Sequence, residues 1–418
     1  MTAPEGGTPE LISDVAGLRR AIANLKLGNG PIAIDAERAS GYRYSSRAYL
    51  IQLFRRGGGL HLIDPIPLEK SKEIEELSSL IGGEESVIHA SSQDLQCLRE
   101  FGIHPQRLFD TELGGRIAGF ERVGLGSLCE LLLGVLLAKE HSAVDWSIRP
   151  LRPEWLDYAA LDVALLIDLR DAVAASLIEQ GKLDWAAAEF QASLDAPMPP
   201  PKRDPWRRTS GMHQIRSRHE LAIVRELWLE RDRIAADLDL APGRLLSDLI
   251  IVEAAAKRPE SQAEFIALKS VKEKIRNDMQ RSHLLTWWQV LQRAYKLDVA
   301  EWPEMRTRSD SLPPPRIWRE KFPIAHLHLQ NARFLIGQIS AELKIPVENL
   351  AAPELIKRIA FDEGRERIVA KGDASLAQIR EFMTANRARN WQIDLLAHPL
   401  ALALSMSELP PEPTTTSE

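Results

Sequence analysis

The spacing of apolar positions changes character along the chain. Ile32-Ala33-Ile34 runs straight into Asp35-Ala36-Glu37 between Gly30-Pro31 and Ser40-Gly41, and predicts a buried strand over 31–37. Similar short runs predict strands at 49–54 and 60–63, joined as a hairpin across Gly57-Gly58-Gly59. Helical spacing at 11–27 and 68–81 predicts amphipathic helices. Further strands are expected at 87–90 and 108–110, and further helices at 94–101, 111–119, 127–137 and 153–178. Early hairpin strands followed by alternating strands and helices imply a mixed α/β sheet with helices on its faces.

Beyond Ala196 the strand signal nearly vanishes. Pro197-Met198-Pro199-Pro200-Pro201 reads as a stiff linker. Leu221, Val224, Leu227, Trp228, Ile234 and Leu238 keep a helical spacing, which continues to Leu297. Pro313-Pro314-Pro315 marks a second break before another helical stretch. Ile234, Leu245 and Ile251 recur as Ile339, Leu350 and Ile356 at an offset of 105 residues, which suggests a duplicated helical module. The expected organisation is a disordered N-terminus (1–10), an α/β domain (11–196), a Pro-rich basic linker (197–211) and a helical domain (212–297). A linker (298–325), a second helical domain (326–405) and a disordered tail (406–418) follow. Residues 1–196 are expected to stand alone as a folded unit.

At 418 residues the chain has room for two or three cores. Apolar content of 44% and charged content of 27% are those of a globular protein. Two cysteines, Cys97 and Cys129, give no disulfide framework and suit a reducing compartment. The first residues lack the basic and apolar regions of a signal peptide. The longest apolar run, 131–138, is too short to span a bilayer. A cytoplasmic, membrane-free location is therefore expected. The net charge of −6, from 53 basic and 59 acidic residues, does not by itself advertise nucleic-acid binding.

Chemistry enters with the acids. On a strand, Asp35 and Glu37 point the same way. Two adjacent carboxylates repel unless a counter-charge is supplied, and hard divalent cations prefer such oxygen ligands. Alone, the pair is a weak signal and reads more readily as a strand end entering a polar loop. Asp94 follows a short strand in His89-Ala90-Ser91-Ser92-Gln93-Asp94, where it could simply cap a helix. Tyr158 and Asp162, four apart on a helix, share one face, as do many surface pairs.

Together these are four acids and a tyrosine in the order Asp-x-Glu, Asp, Tyr-x-x-x-Asp. The combination resembles the tyrosine-bearing subgroup of the DEDD superfamily of 3′→5′ exonucleases. Tyr49-Leu50-Ile51-Gln52-Leu53, Leu62-Ile63-Asp64-Pro65, Phe109-Asp110-Thr111 and Asp145-Trp146-Ser147-Ile148-Arg149-Pro150-Leu151 narrow the likeness to the ribonuclease D family, over about residues 10–190. The helical stretch from Met212 to about Leu297 resembles the helicase-and-ribonuclease-D C-terminal (HRDC) domain, and the later stretch looks like a diverged copy. The resemblance implies a ribonuclease-H-like mixed sheet with flanking helices, followed by two all-α HRDC-like domains. It implies an exonuclease that shortens RNA with a free 3′ end, tRNA precursors among its substrates, with two divalent cations, Mg²⁺ or Mn²⁺. Asp35, Glu37, Asp94 and Asp162 would hold the ions, and Tyr158 would position the attacking water. Gln93 departs from the aromatic that many superfamily members carry before the second-motif Asp, and Ala36 from the Thr frequent between the first acids.

RNA contacts are expected in Gly41-Tyr42-Arg43-Tyr44-Ser45-Ser46-Arg47, whose Tyr42, Arg43, Tyr44 and Arg47 suit stacking and phosphate neutralisation. An exposed loop without that role is an equal alternative. Lys139, His141 and Arg149 are further candidates, although Arg149 could serve a structural ion pair. Residues 202–233, with Arg207 and Arg208, hold nine basic against five acidic residues. A monomer is expected, and no protein partner is indicated. A DNA 3′→5′ exonuclease would present the same acids, and a non-catalytic binding module could keep the fold. A Gly-x-Gly-x-x-Gly turn and a phosphate-loop Lys are absent, which argues against a nucleotide-binding α/β protein.

Overall fold

The computed structural model describes residues 3–4, 6–137, 144–198, 200, 202–306, 312–361 and 373–408. Strands β1 (Leu11–Ile12), β2 (Ile32–Arg38), β3 (Ala48–Arg55), β4 (Gly59–Ile63), β5 (Glu85–Ile88) and β6 (Arg107–Asp110) form one sheet in the order β1-β4-β3-β2-β5-β6. β2, β3 and β4 run antiparallel, while β1, β5 and β6 add parallel to β4, β2 and β5 respectively. The mixed α/β sheet expected from the sequence is therefore present. Leu11 and Ile12, expected at the start of a helix, instead form the edge strand beside Leu62 and Ile63. The first helix, α1 (Val15–Leu27), is capped by Asp14, which accepts from the Gly17 amide.

The remaining helices of this unit are α2 (Glu73–Gly83), α3 (Asp94–Phe101), α4 (Thr111–Ala118), α5 (Leu125–Leu128), α6 (Pro153–Ala164), α7 (Leu166–Glu179) and α8 (Leu183–Leu194). The sequence reading placed no element at α8. Its run Trp185-Ala-Ala-Ala offers little contrast between faces, so its period is faint. Helix α6 lies over β2, β3 and β4, where Leu50, Leu62, Trp146, Leu151, Trp155, Ala159 and Ala160 form a separate apolar cluster. Ala159 and Ala160 are fully buried, and their small side chains let α6 approach the sheet closely.

Helices α9 (Arg218–Asp237), α10 (Pro242–Leu245), α11 (Asp248–Lys257), α12 (Gln262–Ala267), α13 (Lys269–Lys274), α14 (Asp278–Ser282) and α15 (Leu284–Tyr295) surround their own core around Leu227, Ile251 and Trp287. Trp206, expected in a linker, is buried in that core. Trp302, also expected in a linker, stacks on His219 at 4.8 Å. The flanking segments are thus part of the domain. The last unit comprises α16 (Trp318–Lys321), α17 (Pro323–Leu343), α18 (Val347–Leu350), α19 (Pro353–Phe361), α20 (Asp373–Ala385) and α21 (Asn390–Ser405). The starts of α9, α10 and α11 recur in α17, α18 and α19 at the same offset of 105 residues. Leu245 and Leu350 are both fully buried.

The expectation of a free-standing unit ending at 196 is corrected. Residues from Trp318 to Ala403 share one continuous core with the sheet domain. Lys182 Nζ donates 2.6 Å to the Leu343 carbonyl, and a Cβ on Gly119 would lie 2.7 Å from Lys344, so the two surfaces meet closely there. No helix among the described residues is long and apolar enough to cross a membrane.

Candidate active site

The pairing register sets Asp35 opposite Gln52 and Glu37 opposite Leu50. Alternation then puts both acids on the face that α6 covers. Tyr158 and Asp162, one turn apart on α6, look down on them. Oxygen atoms of Asp35, Glu37 and Asp162 lie within 4.8 Å of one another. Asp94 enters from the first turn of α3 and lines the same cavity, of about 400 Å³, with Tyr158 and the other three acids. Five residues spread over 128 positions of sequence are thus gathered in one cleft.

Several residues hold these groups in place. Gln52, fully buried, donates from Nε2 to Asp35 Oδ2 at 3.2 Å. Asp94 does not cap its helix. Its position is set by Asp110, which accepts from the Ala90 and Ser91 amides and also caps α4. Ala90 there adopts a left-handed conformation, φ 59°. On the other side, Arg149 grips Asp64 with Nε and Nη2 at 2.7 and 2.8 Å and donates to the Tyr49 and Trp146 carbonyls. Trp146 packs edge-on against Trp155 of α6 at 5.7 Å. The segment that carried much of the sequence resemblance therefore anchors the helix bearing Tyr158 and Asp162. Gln52 and Asp110 were missed as supports. A polar residue in the middle of an apolar strand was the signal available for Gln52.

Burial and mutual repulsion govern the electrostatics. Burial raises the Asp35 carboxyl to about 6 and that of Asp94 to about 8, Asp35 adding repulsion to the latter, while Arg38 partly opposes both rises. Burial, reinforced by neighbouring acids, holds Glu37 and Asp162 well above their ordinary range. The Tyr158 hydroxyl, hydrogen-bonded to Asp162, is likewise pushed up by burial and nearby acids. With Arg38 as its only arginine or lysine among the described lining residues, the cleft carries an excess of acids, and the three convergent carboxylate oxygens fit a divalent cation. These residues can hold a metal.

The loop expected to contact RNA beside the acids is engaged by the first helical domain. The Arg244 guanidinium sits 4.0 Å from the Tyr42 ring centroid and donates to the Gly41 carbonyl. Tyr44 donates to Asp232 at 3.1 Å. Asp239 accepts from the Ser45 amide at 2.8 Å and from the Tyr49 hydroxyl at 3.1 Å, with Arg47 3.8 Å away. Arg43 donates to Ser147 at 2.7 Å. The aromatic and cationic side chains that suit RNA also suit a contact between domains, and here they make one. Arg149, offered as an RNA contact, is a structural ion pair. Arg207 stacks on Trp206 at 4.3 Å and donates to the Glu304 carbonyl, whereas Arg208 is exposed. Lys139 and His141 lie outside the described residues.

Residues 9–178 match a family model described as a 3′-5′ exonuclease. Residues 220–281 match one described as an HRDC domain, and residues 311–404 one described as a 3′ to 5′ exonuclease C-terminal domain. Ribonuclease D of Acidiphilium cryptum is 32% identical over 234 residues, covering 55% of this chain and 58% of that protein. Matches to the first curated relatives span 58 to 68% of their length. Ribonuclease D of Escherichia coli is 29% identical over 336 residues, covering 78% of this chain and 84% of that protein. Its crystal structure, described as that of an exoribonuclease involved in structured RNA processing, shares the fold with a TM-score of 0.64 at 24% identity, covering 96% of this chain and 99% of that one. A crystal structure of a Bifidobacterium adolescentis protein is 34% identical with a TM-score of 0.88, covering 97% of this chain and 99% of that one.

Proposed function

We propose that the chain, which is similar to ribonuclease D, is a 3′→5′ exoribonuclease of that type, removing nucleotides one at a time from RNA 3′ ends. The observation that carries this reading is the meeting of Asp35, Glu37 and Asp162 in one cleft with Asp94 and Tyr158. In the reaction a water attacks the phosphorus of the last linkage and the bond to the preceding 3′ oxygen breaks. A nucleoside 5′-monophosphate leaves, and the RNA ends in a new 3′ hydroxyl.

Asp35, Glu37, Asp94 and Asp162 would hold the divalent cations, two of Mg²⁺ or Mn²⁺. When bound, such a pair stabilises the charge on the attacking and leaving oxygens of an in-line displacement. Tyr158 positions the water through its hydroxyl, which Asp162 orients from one turn away. Gln52 fixes one oxygen of Asp35, so that the other is presented to the cleft. Structured RNAs, tRNA precursors among them, are the proposed substrates. Matched RNA and DNA strands labelled at the 5′ end and incubated with Mg²⁺ test this reading. Stepwise shortening of RNA ahead of DNA, with release of 5′-mononucleotides, is expected. Faster shortening of DNA, or internal cuts, would overturn it.

A further inference from the structure

Arg38 takes no part in the chemistry proposed above, yet it lines the same cleft. It directly follows Glu37, and a regular strand would send it to the opposite face. An irregularity in the pairing with β3 falls between Glu37 and Arg38, so that Arg38 stands opposite Ala48. That shift lets a cation join the acids in one cavity. Among the described residues lining it, no other lysine or arginine is present.

Its anchor is neutral. Arg38 Nη2 donates 3.0 Å to Gln93 Oε1, on the turn just before Asp94. An amide oxygen fixes a guanidinium without cancelling its charge, and the group has five N–H donors in all. Arg38 is half-buried, and no ion pair of its own is found among the described residues. It nevertheless lies near enough to Asp35 and Asp94 to lower both carboxyls. A cavity of about 400 Å³ is of the size that takes one small ligand such as a nucleotide. Its acids favour cations, so a phosphate entering it needs a fixed positive group besides any metal.

We infer that Arg38, held by Gln93, receives the phosphate of the terminal nucleotide, which becomes the phosphate of the released nucleoside 5′-monophosphate. This rests on the exonuclease reading. A planar guanidinium can make two parallel hydrogen bonds to phosphate oxygens, which a lysine ammonium cannot reproduce. Arg38 would thereby orient the phosphorus toward the water that Tyr158 places.

The test uses the full chain with Mg²⁺. Calorimetric binding of 5′-AMP and of adenosine is measured for wild type, Arg38→Gln and Arg38→Lys, beside kcat/KM on a single-stranded RNA. Arg38→Gln should weaken 5′-AMP and lower kcat/KM by about tenfold each, as loss of one charge-assisted contact implies. Adenosine binding should stay unchanged, and Arg38→Lys should fall between. Unchanged 5′-AMP affinity in Arg38→Gln, or an equal loss for adenosine, would overturn the inference while leaving the exonuclease reading intact. A wild-type chain that does not shorten RNA from its 3′ end would overturn that reading, and the inference with it.

Discussion

Trp391 stacks on Trp185 with ring centroids 5.2 Å apart and planes 11° from parallel. The contact joins α21 of the last helical unit to α8 of the sheet-containing unit. Glu189, beside it, accepts from Trp391 Nε1 and from Nε and Nη2 of Arg389. Its side chain is only 7% exposed, so removal of the last unit would leave a buried carboxylate without its partner.

A chain ending at Ala196 is therefore expected to melt well below the full-length protein or to aggregate. Trp391→Ala in the full chain should cost roughly 3 kcal/mol, as for other large aromatic truncations in a core. Urea unfolding of both, followed by fluorescence, checks this. A truncated chain as stable as the full one would show that the shared core is not needed.

Asp239 is the latch between the first helical domain and the loop after the acidic strand. Asp239→Ala removes the acceptor for the Ser45 amide and the Tyr49 hydroxyl. Faster hydrogen exchange at Ser45 and its loop neighbours is expected, corresponding to about 1–2 kcal/mol of lost protection. Exchange in β2 and β3 should be unaffected. An unaltered rate at Ser45 would mean that other contacts suffice to hold the loop.

Strands β2 to β6 and the five chemical residues left local marks in the sequence, whereas the edge strand at Leu11–Ile12 read as the start of a helix. Ile32-Ala33-Ile34 before Asp35 fixed the strand and its polar face, and the four-residue spacing fixed Tyr158 against Asp162. The partners of those residues were less visible. Tyr42 and Arg47 look the same in sequence whether they meet RNA or Arg244 and Asp239, because stacking and charge serve both. The shared core was hidden for a similar reason. Trp185 lies in a segment with weak periodicity, and nothing local announces that its neighbour is 206 residues away.

Metal binding and pH should be linked. With no ion bound, Asp35 titrates at about 6 and Asp94 at about 8, with Glu37 and Asp162 also raised. Between the ordinary carboxylate range and these values the folded chain holds more protons than the unfolded one. Stability from these groups is thus fully present below about pH 4 and is lost as pH rises through 6 to 8. Mg²⁺ should restore it at the alkaline end, because bound cation replaces the lost protons. Melting curves at pH 5.5 and 8.5 with and without Mg²⁺ check both signs. Stabilisation by Mg²⁺ that is as large at pH 5.5 as at 8.5 would contradict the linkage.

Tyr158→Phe should lower kcat by about 10²-fold while leaving KM and RNA affinity near wild type, as expected when a water-positioning contact acts mainly in the transition state. Single-turnover kinetics and equilibrium binding to the same RNA separate the two effects. A large loss of affinity at normal turnover would make Tyr158 a binding residue instead.

Asp35 is the residue on which the account turns, since its carboxylate is the proposed bridge between two cations. The most direct test follows a 5′-labelled single-stranded RNA with Mg²⁺ in the presence of wild type or Asp35→Asn, both checked for folding by thermal melting. Wild type should produce a ladder shortened from the 3′ end, abolished by chelation. Asp35→Asn should leave the RNA intact at an equal or higher melting temperature without metal, because one buried repulsion is gone. An Asp35→Asn protein that still shortens the RNA at the wild-type rate would contradict the proposed site.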